Sequence, residues 1–145
     1  MATLTPTLTL TSTDAFPGQN ISLSVTDTLD VTAPYTDISK MATNDDKGDG
    51  AGVIIAESTD QFFVYIKNTG FRSDNTAATS ADFVTVTDVD GTAGVTIKLF
   101  PGEFAFFPMK EGDGSDGSAG DGGLKATKGG SNEVFIEYAF FKRTV

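Results

Sequence analysis

The chain has 145 residues, with 20 acidic and 10 basic residues and a formal net charge of -10; it contains neither cysteine nor histidine. The length suits one domain, residues 1–145, with its own core. The missing cysteine and histidine remove disulfides, the commonest transition-metal ligands and the commonest general base. We therefore expect no enzyme, with no catalytic residue, no cofactor and no metal site. The negative charge opposes binding to nucleic acid and to anionic membranes.

The opening segment does not resemble a targeting signal. Residues 1–10 lack the basic start and the continuous apolar run of a signal peptide, and no stretch approaches the length of a membrane span. We expect a protein that is made in the cytoplasm and has no membrane partner.

The N-terminal forty residues alternate apolar and hydroxyl side chains, which is typical of half-buried strands. Leu4, Leu8 and Leu10 stand among threonines, and residues 21–25 alternate throughout. Pro34 cannot donate to a central ladder, so it marks an edge or a break. Over residues 1–13 the alternation is thin, and two interpretations stay open. This segment is either a strand of the chain's own sheet or an extended N-terminal arm that docks on a neighbouring subunit.

The middle of the chain carries two stronger strand signals. A short apolar run centred on Ile54 is typical of a strand covered on both faces. In the next stretch Phe62, Val64 and Ile66 share one face, and we expect this strand to end at Asn68.

The stretch 95–109 combines a strand, a tight-turn signal and an aromatic run. The pair Pro101-Gly102 favours a type II turn, because proline pre-sets the first central position and glycine accepts the positive φ of the second. This pattern predicts a β-hairpin or a sharp β-corner. We expect Phe104 and Phe106 to face the core and Phe107 to face outwards.

Two glycine-rich polar segments, residues 44–50 and 111–123, predict loops. The first resembles the start of an EF-hand loop, but Lys47 stands where a ligand oxygen is required. The second buries almost nothing, and we expect a flexible loop. Calcium binding at this second loop, through Asp113, Asp116 and Asp121, stays open as an alternative. The spacing of these residues, however, fits no EF-hand.

The last strand signal, residues 133–141, is the strongest. One face would carry Val134, Ile136, Tyr138 and Phe140. No window has a helical apolar period with caps, and the spacing of strands is typical of a sandwich or barrel. We predict an all-β fold, an antiparallel β-sandwich. Several strands have large apolar residues on both faces, so the surplus is covered by the second layer or by another subunit of a homo-oligomer.

A family resemblance rests on three segments of the chain and on its Thr-rich opening, residues 2–10. The segments are Tyr65-Ile-Lys-Asn-Thr-Gly70, Leu99-Phe-Pro-Gly-Glu-Phe104 with the later Pro108, and Glu137-Tyr-Ala-Phe-Phe141. In these the chain resembles small virion structural proteins of tailed bacteriophages, of the marine cyanophage type. The resemblance implies a jelly-roll-like β-sandwich without catalytic residues. The chain departs from the pattern in its insertion at residues 111–123.

The resemblance leads us to expect a capsid decoration or cement protein. It would lie on the outer surface of the virion, form a homo-oligomer, and bind and stabilise neighbouring coat subunits. Its partners would be other virion proteins, either the major capsid protein or tail subunits. The contact residues would be Leu4, Leu8 and Leu10 in the arm and Phe71 and Phe107 near loops.

The alternative is a tail, neck or fibre component. One form of it is a carbohydrate-binding receptor-recognition domain that stacks sugars on Tyr35, Tyr65 or Phe71. The absence of tryptophan, the preferred sugar platform, counts against that form. A hydrolytic module would need two carboxylates at a defined separation, and the sequence brings no two of the candidates together: Glu57, Asp60, Glu103 and Glu137.

Overall fold

The chain, in a computed structural model, is all-β over the residues that the structure describes, which are 2–16, 19–35, 38–43, 52–55, 61–88, 96–109 and 123–144. Twelve strands are present in this part of the chain: β1 (Ala2–Leu4), β2 (Thr7–Phe16), β3 (Gln19–Thr26), β4 (Leu29–Tyr35), β5 (Ser39–Ala42), β6 (Val53–Ile55), β7 (Phe62–Arg72), β8 (Val84–Asp88), β9 (Ile97–Leu99), β10 (Phe104–Met109), β11 (Leu124–Lys128) and β12 (Val134–Arg143). The predicted all-β class is confirmed.

The strands form three sheets, and their pairings are antiparallel. The first sheet has the order β1-β4-β12-β7-β10, and β5 also pairs with β12. The second sheet has the order β6-β11-β8-β9, and β2 and β3 form a sheet of their own. The long strand β12 is therefore the centre of the first sheet, with β4, β5 and β7 as its partners.

One hydrophobic cluster draws on both the first and the second sheet. It includes Phe62, Val64, Ile66, Val134 and Ile136 from the first sheet and Val84, Val86, Leu99, Leu124 and Ala126 from the second. Every second residue of β7 and β12 points into it, as alternation along a strand requires. The predicted grouping of side chains on one face of each strand is confirmed, since Tyr138 and Phe140 also pack against the cluster.

The stretch around Pro101-Gly102 is a corner between two sheets rather than a hairpin. β9 pairs with β8 in the second sheet, whereas β10 pairs with β7 in the first. Gly102 has a φ of 87°, and the amide of Glu103 donates to the carbonyl of Phe100 at 2.9 Å. The tight turn is thus confirmed, and of the two interpretations the corner is correct.

The phenylalanines of β10 point opposite to our expectation. Phe104 and Phe106 are 61% and 38% exposed, whereas Phe107 packs against the core cluster. The reason is the register with β7, which sets Phe107 opposite Val64 and Phe106 opposite Tyr65. Directly opposed residues share a face of the sheet, so Phe107 follows the core-facing Val64.

Strand β7 is longer than its sequence pattern predicts. It continues past Asn68 to Arg72, where Arg72 pairs with Val134. Gly70 lies within it at a φ of 81°, and the pairing with β12 shifts register between Val134 and Ile136. The predicted end at Asn68 is wrong, because pairing with β12 carries an irregular strand past the residues that normally stop one.

Candidate interaction surfaces

The two-stranded sheet of β2 and β3, called the ribbon below, has an aliphatic face. Its register sets Leu8 opposite Val25 and Leu10 opposite Leu23. Directly opposed residues of an antiparallel pair lie on the same face, so these four side chains form one patch, which Ile21 extends. The patch forms because apolar and hydroxyl side chains alternate along each strand, so the apolar ones lie on one face.

The other face of the ribbon is made of hydroxyl side chains. The Oγ1 atoms of Thr7 and Thr26 lie 3.0 Å apart, and Thr9 Oγ1 lies 3.5 Å from Ser24 Oγ. These cross-strand hydrogen bonds link exposed hydroxyl groups that water also solvates. The ribbon is therefore amphipathic, with one polar face that suits solvent.

The aliphatic face of the ribbon is uncovered. Its exposed fractions are 48% for Leu8, 47% for Leu10, 44% for Leu23 and 51% for Val25. Among the residues that the structure describes, β2 and β3 make their extensive contacts with each other. A two-stranded hairpin is marginally stable in water, and a contiguous exposed apolar patch commonly marks an interaction site.

A second apolar surface lies on the outer side of β7 and β10. We call it the aromatic face, and it consists of Phe63, Tyr65, Phe104 and Phe106. The rings of Phe63 and Phe106 stack with centroids 6.1 Å apart, and those of Tyr65 and Phe104 are tilted at 6.4 Å. Burial raises the pKa of the Tyr65 phenol, and the negative charge of Glu137 raises it further. The phenol itself therefore stays neutral.

Cations lie beside the aromatic face on the same side of the sheet. Lys67 lies opposite both Phe104 and Glu137, and Lys40 lies opposite Glu137 from the other side. The guanidinium carbon of Arg143 sits 4.9 Å from the ring centre of Phe63. Three cations and one carboxylate thus share this side of the sheet around the rings. The local charge is opposite in sign to the net charge of the chain.

A buried carboxylate, Asp82, holds the turn that precedes β8. Its side chain is 1% exposed, and Oδ2 accepts bonds from Arg72 Nε at 3.0 Å and Nη2 at 2.7 Å. The amide and hydroxyl of Thr79 also donate to Oδ2, at 2.9 and 3.0 Å, and Asn132 Nδ2 donates to Oδ1 at 2.8 Å. The hydrogen bonds from the Thr79 amide, Asn132 and Arg72 hold the pKa of Asp82 well below its usual range.

Asn68, which is fully buried, connects this turn to the corner between the sheets. Its Nδ2 donates to the carbonyls of Asp82 at 3.2 Å and Leu99 at 3.1 Å, and its Oδ1 accepts from the amide of Gly70 at 3.0 Å. Its backbone also bonds to Gly102 and Glu103. Because the corner leads directly into β10, this network orients the strand that carries half of the aromatic face.

The glycine pair after β11 lets the chain pass close to the Asp82 turn. We expect Gly130→Ala to lower the free energy of unfolding by about 1–3 kcal/mol through overpacking, because a Cβ there would lie 2.4 Å from the carbonyl oxygen of Ala81. The contrasting variant is Gly102→Ala, which meets no atom within 4 Å, so its loss of about 1–2 kcal/mol comes only from its left-handed backbone. Urea denaturation of both variants checks this, and equal losses would contradict it.

The predicted contact residues fall in different places. Leu8 and Leu10 lie together on the ribbon, while Leu4 is half-buried in β1, opposite Leu29. Phe71 is 50% exposed near the end of β7. Phe107 faces the core, so its side chain does not present a contact surface. Residues 2–12 pair within the chain rather than extending alone.

Sequence reasoning missed half of the ribbon's patch and both buried polar residues. Leu23 and Val25 were visible as alternating strand residues, but the partner of that strand was not. Asn68 and Asp82 gave no signal beyond being polar residues beside a turn, because the groups that they bind come from distant parts of the chain.

Several candidate binding and catalytic residues lie outside the part of the chain that the structure describes. The side chain of Tyr35, the carboxylates Glu57 and Asp60, and the loops 44–50 and 111–122 lie outside the described residues. Within the described part of the chain, no group of three or more carboxylates is arranged to hold a metal ion. An open depression near the ribbon tip is lined by residues without a titratable side chain, namely Thr11, Ser12, Thr13, Asn20, Ile21 and Ser22.

No helix in the described ranges has the length and hydrophobicity needed to cross a bilayer.

Comparison with known proteins found no relative. The chain matches no protein-family model, no curated protein and no solved structure.

Proposed function

We propose that the protein is a non-enzymatic structural component of a phage virion that docks on neighbouring subunits through its ribbon. In this proposal the first two sheets form a jelly-roll-like β-sandwich, and the ribbon is the N-terminal arm. The observation that carries the proposal is the aliphatic face of the ribbon, where Leu8, Leu10, Leu23 and Val25 are each about half exposed.

The aliphatic patch is small, so it suits a protein that attaches to its particle in many copies. Burying the exposed half of four aliphatic side chains contributes about 1 kcal/mol each, or roughly 4 kcal/mol per ribbon. Association itself costs about 4–15 kcal/mol in lost translational and rotational freedom. One ribbon therefore binds weakly, whereas copies that also contact each other on a lattice gain from multivalency. A capsid decoration or cement protein works in this way.

The charge of the chain supports an outer position on the particle. A net charge of -10 is repelled by packaged nucleic acid, so the outer surface of the capsid is the favourable side. The partner would be the major capsid protein or a copy of the protein bound next to it.

The proposal predicts that the ribbon is required for incorporation into particles. Leu10→Asp places a charge in the aliphatic patch, and we expect it to reduce the copy number per particle at least about tenfold, because an unpaired charge resists burial. Thr11→Asp adds the same charge to the hydroxyl face and should leave incorporation unchanged. Quantitative mass spectrometry of purified particles measures both.

The same measurement separates capsid from tail. Hundreds of wild-type copies per particle would favour capsid decoration, and a few dozen or fewer would favour the neck, tail or fibre. Full incorporation of Leu10→Asp would contradict docking through the ribbon.

A carbohydrate-binding role is the second candidate, and the exposure of Phe104 favours it. Its ring is 61% exposed beside that of Tyr65, and flat aromatic surfaces stack on the apolar faces of sugars. Binding on a glycan array that is lost in Phe104→Ala would support this candidate. An array without signal for the wild type would remove it.

A further inference from the structure

We propose that the ribbon of one copy packs its aliphatic face on the aromatic face of a second copy. The inference rests on the proposed function only in taking the ribbon as a docking element, and it names the subunit that the ribbon meets. One contact of this kind would cover both apolar surfaces that a single chain leaves open.

The first argument is that the two surfaces match in kind and width. The ribbon presents two paired strands with Leu8, Leu10, Leu23 and Val25, and the aromatic face is likewise built on two paired strands, β7 and β10. Paired strands lie about 4.8 Å apart, so the two surfaces have similar breadth, and sheets stack face to face through such apolar layers. Both surfaces hold exposed side chains, with Phe104 at 61%.

The second argument is charge. Two copies that each carry -10 repel one another, so a contact between them needs a neutral or complementary surface. The ribbon has no charged residue between 7 and 13 or between 20 and 26. Lys67 and Arg143 lie at the aromatic face, and Lys40 and Glu137 lie further along the same side of the sheet. An acidic second copy therefore finds cations where its ribbon docks.

The third argument is that the alternative, packing of one ribbon on another ribbon, accounts for fewer of the exposed surfaces. A ribbon packed on another ribbon would leave Phe104 and Phe106 exposed and would bring no cation near the acidic partner. Packing of the ribbon on the aromatic face uses two different surfaces, so each copy can donate a ribbon and accept one. Such head-to-tail contacts close into a ring when the rotation between copies allows it.

The test exploits this head-to-tail geometry. Leu10→Asp damages the donated surface, and Phe104→Asp damages the accepting one. The introduced aspartate at 104 lies opposite Lys67, so the fold has a partner for the new charge. Each variant alone should self-associate at least about tenfold more weakly than the wild type, measured by sedimentation velocity. Circular dichroism melting curves establish that both variants are folded.

Mixing the two variants gives the deciding result. The Phe104→Asp copy still has an intact ribbon, and the Leu10→Asp copy still has an intact aromatic face. An equimolar mixture should therefore form a dimer with one intact contact, and it should not grow further. The matched control is Thr11→Asp on the hydroxyl face of the ribbon, which should associate as the wild type does.

Three results would overturn the inference. They are a wild type that stays monomeric at high concentration, single variants that associate normally, and a mixture that stays monomeric although each variant has lost association. Loss of association in Leu10→Asp but not in Phe104→Asp would indicate ribbon-to-ribbon packing. If the self-association test fails but Leu10→Asp is still lost from particles, the proposed function stands. If the two variants form a dimer when mixed but the wild type is not incorporated into particles, only the proposed function is refuted.

Discussion

Replacing Asn68 by alanine is expected to lower the free energy of unfolding by about 3–4 kcal/mol, because three buried partners lose their hydrogen bonds. The carbonyls of Asp82 and Leu99 lose a donor, and the amide of Gly70 loses an acceptor. Unsatisfied buried groups each cost about 1–3 kcal/mol. For a chain of this size the melting temperature should fall by about 10 °C.

Asn20→Ala is the matched control for this prediction. Asn20 is an exposed asparagine on β3, so its loss should change the melting temperature by no more than about 2 °C. Differential scanning calorimetry of the two variants gives the comparison. If Asn68→Ala melted within the same small range as Asn20→Ala, the network would not hold the corner between the sheets.

Asp82→Asn is expected to destabilise the protein strongly at neutral pH and much less in acid. The variant keeps the size of the side chain but removes the charge that Arg72 pairs with, and its amide group cannot accept all the bonds that Oδ1 and Oδ2 accept. We expect the melting temperature at pH 7 to fall by more than about 5 °C.

The pH dependence follows from the direction of the pKa shift. Hydrogen bonds from Thr79, Asn132 and Arg72 lower the pKa of Asp82 in the folded state below the ordinary value of 3.8. Near pH 4 the unfolded chain therefore binds more protons at this residue than the folded chain does. The stabilisation is fully present above the unfolded pKa and is lost as the pH falls towards the folded pKa.

The difference between wild type and Asp82→Asn is the informative quantity. The other acidic residues also titrate in acid, but they do so in both proteins, so their contribution cancels. The difference in free energy of unfolding should be constant above about pH 5 and should shrink below pH 4. Asp30→Asn, at an exposed position of β4, should show no such difference. A difference between wild type and Asp82→Asn that stays constant down to pH 2.5 would contradict the role of the charge.

Much of the fold was predictable from local pattern. Alternation in β7 and β12 predicted which side chains share a face, because the period of a strand determines its two faces. The Pro101-Gly102 turn was predictable for a similar reason, since it depends on the backbone preferences of two adjacent residues. Its conversion into a corner was not, because that depends on which sheet each flanking strand joins.

Where the local pattern carried no alternation, the prediction failed. Phe104, Ala105, Phe106 and Phe107 are all apolar, so either parity is compatible with the sequence. The register with β7 decided that Phe107 packs on the core and that Phe104 and Phe106 face outwards. Our expectation about Phe107 as a contact residue was wrong for this reason, and the outward pair forms half of the aromatic face.

The sequence by itself determined the all-β class, the faces of the regular strands and the amphipathic character of β2 and β3, because each depends on neighbouring residues in the chain. Only the tertiary structure decided that β2 pairs with β3, so that Leu8, Leu10, Leu23 and Val25 form one patch that is about half exposed in the described part of the chain. Only the tertiary structure assembled Asp82 and Asn68 with partners far along the chain. Pairing and burial are long-range outcomes of folding, and they decide which apolar residues remain available to a second chain.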